Sequence, residues 1–141
     1  MANIIPFSFR GELFSGTHNF ANGGNSFKIA LYTSNPYSTS STAYLTTNEV
    51  SASNTGYTTT GQVLQGQAVA SGTAVASVDF ADSSLANATF TAAFAAIYND
   101  TNADKLCVVL DFGGNKTATN GTFTIAFPNP STPANAIISM A

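Results

Sequence analysis

Charge is the scarcest property of this chain: 8% of its 141 residues are Asp, Glu, Lys or Arg, against about 25% in soluble domains generally. Its four basic residues, Arg10, Lys28, Lys105 and Lys116, are scattered and the net charge is -3. No basic patch can neutralise a run of phosphates, so no nucleic-acid partner is expected. A single cysteine, Cys107, excludes an intrachain disulfide. With His18 as the only histidine, the imidazole and thiolate ligands are too few for a zinc site. No apolar run approaches the ~20 residues that cross a bilayer. Residues 1–10 lack the basic start and long apolar stretch of a signal peptide. The expectation is a soluble product made in a cytoplasm, with no membrane partner. Gly-x-Ser-x-Gly elbows and phosphate-cradling glycine loops are also missing, and no pair of carboxylates is marked as facing each other. Neither an enzyme nor a cofactor is expected.

What the chain does have is alternation. Phe27, Ile29 and Leu31 alternate with Lys28, Ala30 and Tyr32; Leu106, Val108, Leu110 and Phe112 with Cys107, Val109 and Asp111; Phe123, Ile125 and Phe127 with Thr122, Thr124 and Ala126. Period-two patterning places one set of side chains on each face of a strand, so these segments predict half-buried β-strands. Further strands are expected over 56–64, over 69–80 as a hairpin interrupted at Ser71-Gly72, over 88–98, and over 136–140. Residues 42–50 predict one helical turn. Gly113-Gly114-Asn115 and Asn120-Gly121 predict a hairpin joining 105–112 to 122–127, because Gly and Asn accept positive φ. Pro128, Pro130 and Pro133 forbid regular pairing in the linker that follows. About seven or eight short strands with polar turns imply an all-β fold, an antiparallel β-sandwich of jelly-roll or Ig-like type.

Residues 1–25 read as an N-terminal apolar arm ahead of a β-domain over 26–141. Ile4, Ile5, Phe7, Phe9, Leu13 and Phe14 crowd into this arm, with Phe20 further along and a short helix expected over 9–14. So many large apolar groups must be covered, either on the chain's own domain, which is the commoner fate of an ordered terminus, or on a neighbour. They are the candidate protein-interface residues. The rest of the surface must be wetted by Thr, Ser, Asn and Gln, which cost less to desolvate than charges and suit a protein living inside an assembly.

Other groups have plainer expected roles. Cys107 lies among Val and Leu and predicts a buried hydrophobe; His18 predicts a ring hydrogen-bonded at a turn. Asp79, Asp82, Asp100 and Asp104 lie near turns and could offer calcium ligands, but match no EF-hand spacing. Sequons at Asn87, Asn99, Asn115 and Asn120 are expected products of Asn/Thr-rich composition. Tyr32, Tyr37, Tyr44, Tyr57 and Tyr98 could form platforms for a carbohydrate, which keeps a glycan-binding β-module open as a second class.

The stretches FKIALYTS (27–34), AYLTTNEVSASNTGY (43–57), AIYND (96–100), VLDFG (109–113), GTFTIAFP (121–128) and AIISMA (136–141), in that order, resemble a family of small virion structural proteins of tailed bacteriophages. None is a catalytic motif. The resemblance implies a non-enzymatic particle component, a capsid decoration or cement protein on the major capsid protein or else a tail- or fibre-associated protein. It implies a homo-oligomer whose partners are other virion proteins and whose final location is the virion.

Overall fold

The computed structural model describes residues 3–128 and 136–140. Among the described residues one helix, α1 (Phe7–Phe14), precedes seven strands: β1 (Phe27–Tyr32), β2 (Gln62–Val63), β3 (Ala68–Ser71), β4 (Ala76–Asp79), β5 (Ser83–Asn99), β6 (Lys105–Ile125) and β7 (Ile138–Met140). They form two antiparallel sheets, with strand orders β2-β1-β5-β6 and β3-β4-β7. The all-β expectation holds. The linker expected over residues 129–135, including Pro130 and Pro133, lies outside the described residues.

The largest correction concerns the end of the chain. Segments 105–112 and 122–127 do not pair with each other; 105–125 is one long strand, and its partner throughout is β5, from Asn99↔Lys105 to Ser83↔Ile125. Gly113 and Gly114 do take positive φ, 74° and 142°, but as a bulge. Ala92 pairs with Lys116 and Phe94 with Asp111, so residues 112–115 stand opposite Ala93 alone. Glycine chemistry here bends a strand instead of reversing it.

A second bulge changes which side chains face inward. Ile97 pairs with Val108 and Tyr98 with Leu106, leaving Cys107 without a counterpart. The slip puts Cys107 and Val108 in one core and Leu106 and Val109 in the other. Leu106 therefore leaves the set it was expected to share with Val108 and Leu110.

β1 and the first residues of β6 are buried on both faces instead of one, whereas residues 122–125 alternate as expected. Phe27, Ile29 and Leu31 of β1 join the main core, where Val78 of β4 and Ile138 of β7 also sit; Ala30 and Tyr32 join the second. The second face is covered by chain without regular strands. Val50 N–H donates to Leu31 O (2.9 Å), Leu106 N–H to Thr42 O (3.0 Å), and Ile4 and Val109 exchange both backbone bonds (2.9 and 2.8 Å). Residues 42–50 form no helical turn: Asn48 turns at φ 61°, and Glu49 bridges Tyr32 in antiparallel fashion. Polar contacts with β1 outweigh the weak helix preference of a Thr-rich segment.

Helix α1 begins two residues before the expected 9–14, because Pro6 sits at its N-cap at φ -61° and leads directly into the first turn. Gly61, at φ 81°, ends the turn before β2 so close to β1 that a Cβ would lie 2.0 Å from Ile29 O. Gly11 of α1 has nothing within 4 Å of where its Cβ would be. Gly61→Ala is expected to lower unfolding free energy by about 2 kcal/mol or more. Gly11→Ala is expected to raise it by about 0.5–1 kcal/mol. Urea denaturation of the two variants checks both signs.

Candidate interaction surface

The arm residues divide into three groups. Phe9 is 1% exposed, its ring 5.0 Å from His18 and 6.1 Å from Phe20, which in turn stacks on Phe27 of β1 at 4.3 Å. Ile5 and Leu13 are half-buried against the main core, and Ile4 against the second. Phe7 and Phe14 remain in water, at 61% and 94% exposure. Residues 7 and 14 are seven apart on α1 and so share one helix face. Arg10 lies between them with its guanidinium 5.3 Å from the Phe7 ring centre.

Beside Leu13 lies a groove of about 380 Å³, walled by Phe20, Val69, Val78, Ile138 and Met140. Among the described residues no Asp, Glu, Lys or Arg lines it. Val69 and Met140 extend its apolar surface outward, being 52% and 58% exposed. These two were not among the expected interface residues. Their signal lay in the charge-free segments Ala68–Ser71 and Ile138–Met140, but only the β3-β4-β7 pairing brings them beside the arm.

The groups with reactive chemistry are sealed beneath this surface. The Oδ1 of Asn99 accepts from the backbone N–H groups of Thr101 and Asn102, each at 3.1 Å. Its amide nitrogen must then point the other way, donating to His18 Nδ1 (3.0 Å) and Asn25 Oδ1 (3.0 Å). With Nδ1 an acceptor, the His18 proton is on Nε2 and is donated to Glu12 Oε2 at 2.7 Å. Lys105 Nζ holds the other Glu12 oxygen at 3.2 Å. Cys107 Sγ is 3.7 Å from the same Nδ1, so cysteine, histidine and a carboxylate do converge here. The thiol is nonetheless fully buried. Desolvation first, and then the nearby Glu12 carboxylate, raise its pKa well above the usual value. A nucleophile needs an accessible thiolate; this site pins the arm to the β5–β6 turn.

Four of the five tyrosines are likewise internal, and Tyr44 is partly so. Glu49 Oε2 accepts from Tyr44 OH (2.5 Å), and Oε1 from Tyr57 OH (2.6 Å) and Thr60 N–H (2.9 Å). Tyr32 OH donates to Leu45 O (2.7 Å) and lies 2.6 Å from Tyr37 OH, which accepts from Leu45 N–H at 3.0 Å. Tyr98 stacks on Tyr44 at 4.7 Å and donates to Thr60 O. Tyr32, Tyr37, Tyr57 and Tyr98 are buried. Rings enclosed in this way are not the exposed platforms a glycan site requires.

The turn aspartates do not gather. Asp100 lies 3.3 Å from Lys28 Nζ, and Asp82 Oδ1 accepts from Phe127 N–H at 2.8 Å. Among the described residues no group of three His, Cys, Asp or Glu could hold a metal ion. Of the sequon residues, Asn99 is completely buried.

Two solution measurements follow from this geometry. Cys107 is expected to be inert to a thiol-specific chromogenic reagent in the native protein and to react stoichiometrically in denaturant. Burial, as the largest cause, raises the pKa of Tyr32, Tyr37, Tyr44, Tyr57 and Tyr98. The fold thus favours neutral phenols, and their stabilisation is complete below the unfolded value of about 10 and is lost as pH rises above it. Stability is expected to fall by up to about 1.4 kcal/mol per pH unit above that point for each buried tyrosine, and by less for the partly exposed Tyr44. Tyrosine ionisation, followed by ultraviolet absorbance, should coincide with unfolding. Compared with known proteins, the chain matches no family model, no curated protein and no solved structure.

Proposed function

We propose that this chain is a non-enzymatic structural component of a tailed-bacteriophage virion, a decoration or cement protein seated on the major capsid protein. The observation that carries the proposal is the pairing of Phe14, 94% exposed, with an uncharged apolar groove, on a molecule whose cysteine, histidine and four of five tyrosines are buried. A surface of this kind gains free energy when covered and loses little by desolvation. The resemblance to phage structural proteins agrees: FKIALYTS contains β1, AIYND closes β5, and VLDFG and GTFTIAFP contribute to β6. We read the two sheets as a β-sandwich, since Val78 and Ile138 of the smaller share one core with Ile29, Ile97 and Val108 of the larger. On this reading the protein is made in the bacterial cytoplasm, acts in the virion and is a homo-oligomer.

Purified protein added to particle fractions is expected to bind full heads and not isolated tails. Heads lacking it are expected to release DNA at a lower temperature than decorated ones. Electron-microscopic density confined to the tail would overturn the capsid assignment.

A further inference from the structure

We infer that a second copy of this chain covers the groove, with Phe14 of each protomer inserted into the groove of the other about a two-fold axis. The inference deepens the particle-component reading, from which it takes its biological setting, but it makes a separate claim about the isolated protein.

Three observations lead to a second copy. Phe14 follows Leu13, which itself lines the groove, so the projecting ring and the recess that would receive one lie side by side. When projection and recess are adjacent on one molecule, a single two-fold rotation fills both recesses at once and the contact closes on itself. Well-separated features would instead make a head-to-tail contact, which gives a ring or an open chain.

The second observation is charge. Two identical molecules each carry a net charge of -3 and repel, and a patch with one sign of charge would worsen this when meeting its own image. The groove lining contains no Asp, Glu, Lys or Arg, so self-contact brings no like charges together there.

Area is the third. Phe14, Phe7, Met140 and Val69 are 94%, 61%, 58% and 52% exposed. With about 150–250 Å² available on an aromatic side chain, this patch and the groove walls offer on the order of 500 Å² of apolar surface per protomer. A stable interface buries about 800 Å² per partner with an apolar centre and a polar rim. The patch suffices for the centre, and the surrounding Ser, Thr and Asn residues supply the rim.

The test is complementation by mixing, read by sedimentation equilibrium. Wild type is expected to dimerise. Phe14→Lys alone and Met140→Glu alone should each weaken self-association at least about 30-fold, the effect expected at a hot spot. Both residues are exposed, so circular dichroism and the melting temperature should be unchanged, which separates lost association from lost folding. Mixed, the two variants should form a heterodimer: at one contact the introduced ammonium meets the introduced carboxylate, and the other contact stays Phe14 against Met140. A wild-type protein that stays monomeric at 200 µM would overturn the inference, as would a dimer that persists in Phe14→Lys or variants that fail to complement. Head binding is measured separately on the wild-type protein: a monomer that still binds full heads overturns the self-association inference alone, and a dimer that binds no heads overturns the capsid assignment alone.

Discussion

The carboxamide of Asn99 holds more of this molecule in place than any other single group. It ends the longest strand pairing, caps the following turn through Thr101 and Asn102, and reaches 81 residues back to His18 and 74 to Asn25. Fully buried, it cannot exchange these partners for water, so losing one leaves a polar atom unsatisfied at about 1–3 kcal/mol. Both oxygen and nitrogen are in use, which fixes the amide orientation and through it the His18 tautomer. The position of the arm, and with it the placement of Phe7 and Phe14, follows from that orientation.

Glu49 has the corresponding role on the opposite face of the larger sheet. The chain has two glutamates, and each organises one polar cluster: Glu12, on α1, between the arm and the β5–β6 turn, and Glu49, in the loop that covers β1. Glu12 holds the His18 ring and the Lys105 ammonium, and Glu49 satisfies two tyrosine hydroxyls and the Thr60 N–H. Thr60, held at φ 78°, shows how firmly: Glu49 takes its N–H and Tyr98 its carbonyl. A β-branched residue in that region needs such support.

Period-two patterning made the strands legible where residues 27–32 and 105–112 alternate, and the Ala-rich stretch 88–98 is strand as expected, within β5. It failed where tertiary context overrode local signals. Gly113-Gly114 reads locally as a reversal, but only the pairing with β5 decides between turn and bulge. The Cys107 bulge has no local signature, since a one-residue slip depends on both strands. Phe9 and Phe14 look alike in sequence, yet one is enclosed and the other bare, because the arm has room to bury a single helix face. The groove was illegible for a related reason: Leu13, Val69 and Met140 are distant in sequence and meet only through the smaller sheet.

The arm's attachment points also set the order of events during synthesis. Ile4 bonds Val109 and His18 bonds Asn99, so the arm, which is made before its partners, waits for more than eighty later residues before it finds its seat. Closing such long loops is slow compared with zipping the β5–β6 hairpin from its turn. For that interval Phe7, Phe9, Phe14 and Phe20 are all uncovered at once. The nascent chain is therefore most prone to aggregate before residue 109 emerges, and its demand for chaperones is concentrated in that window.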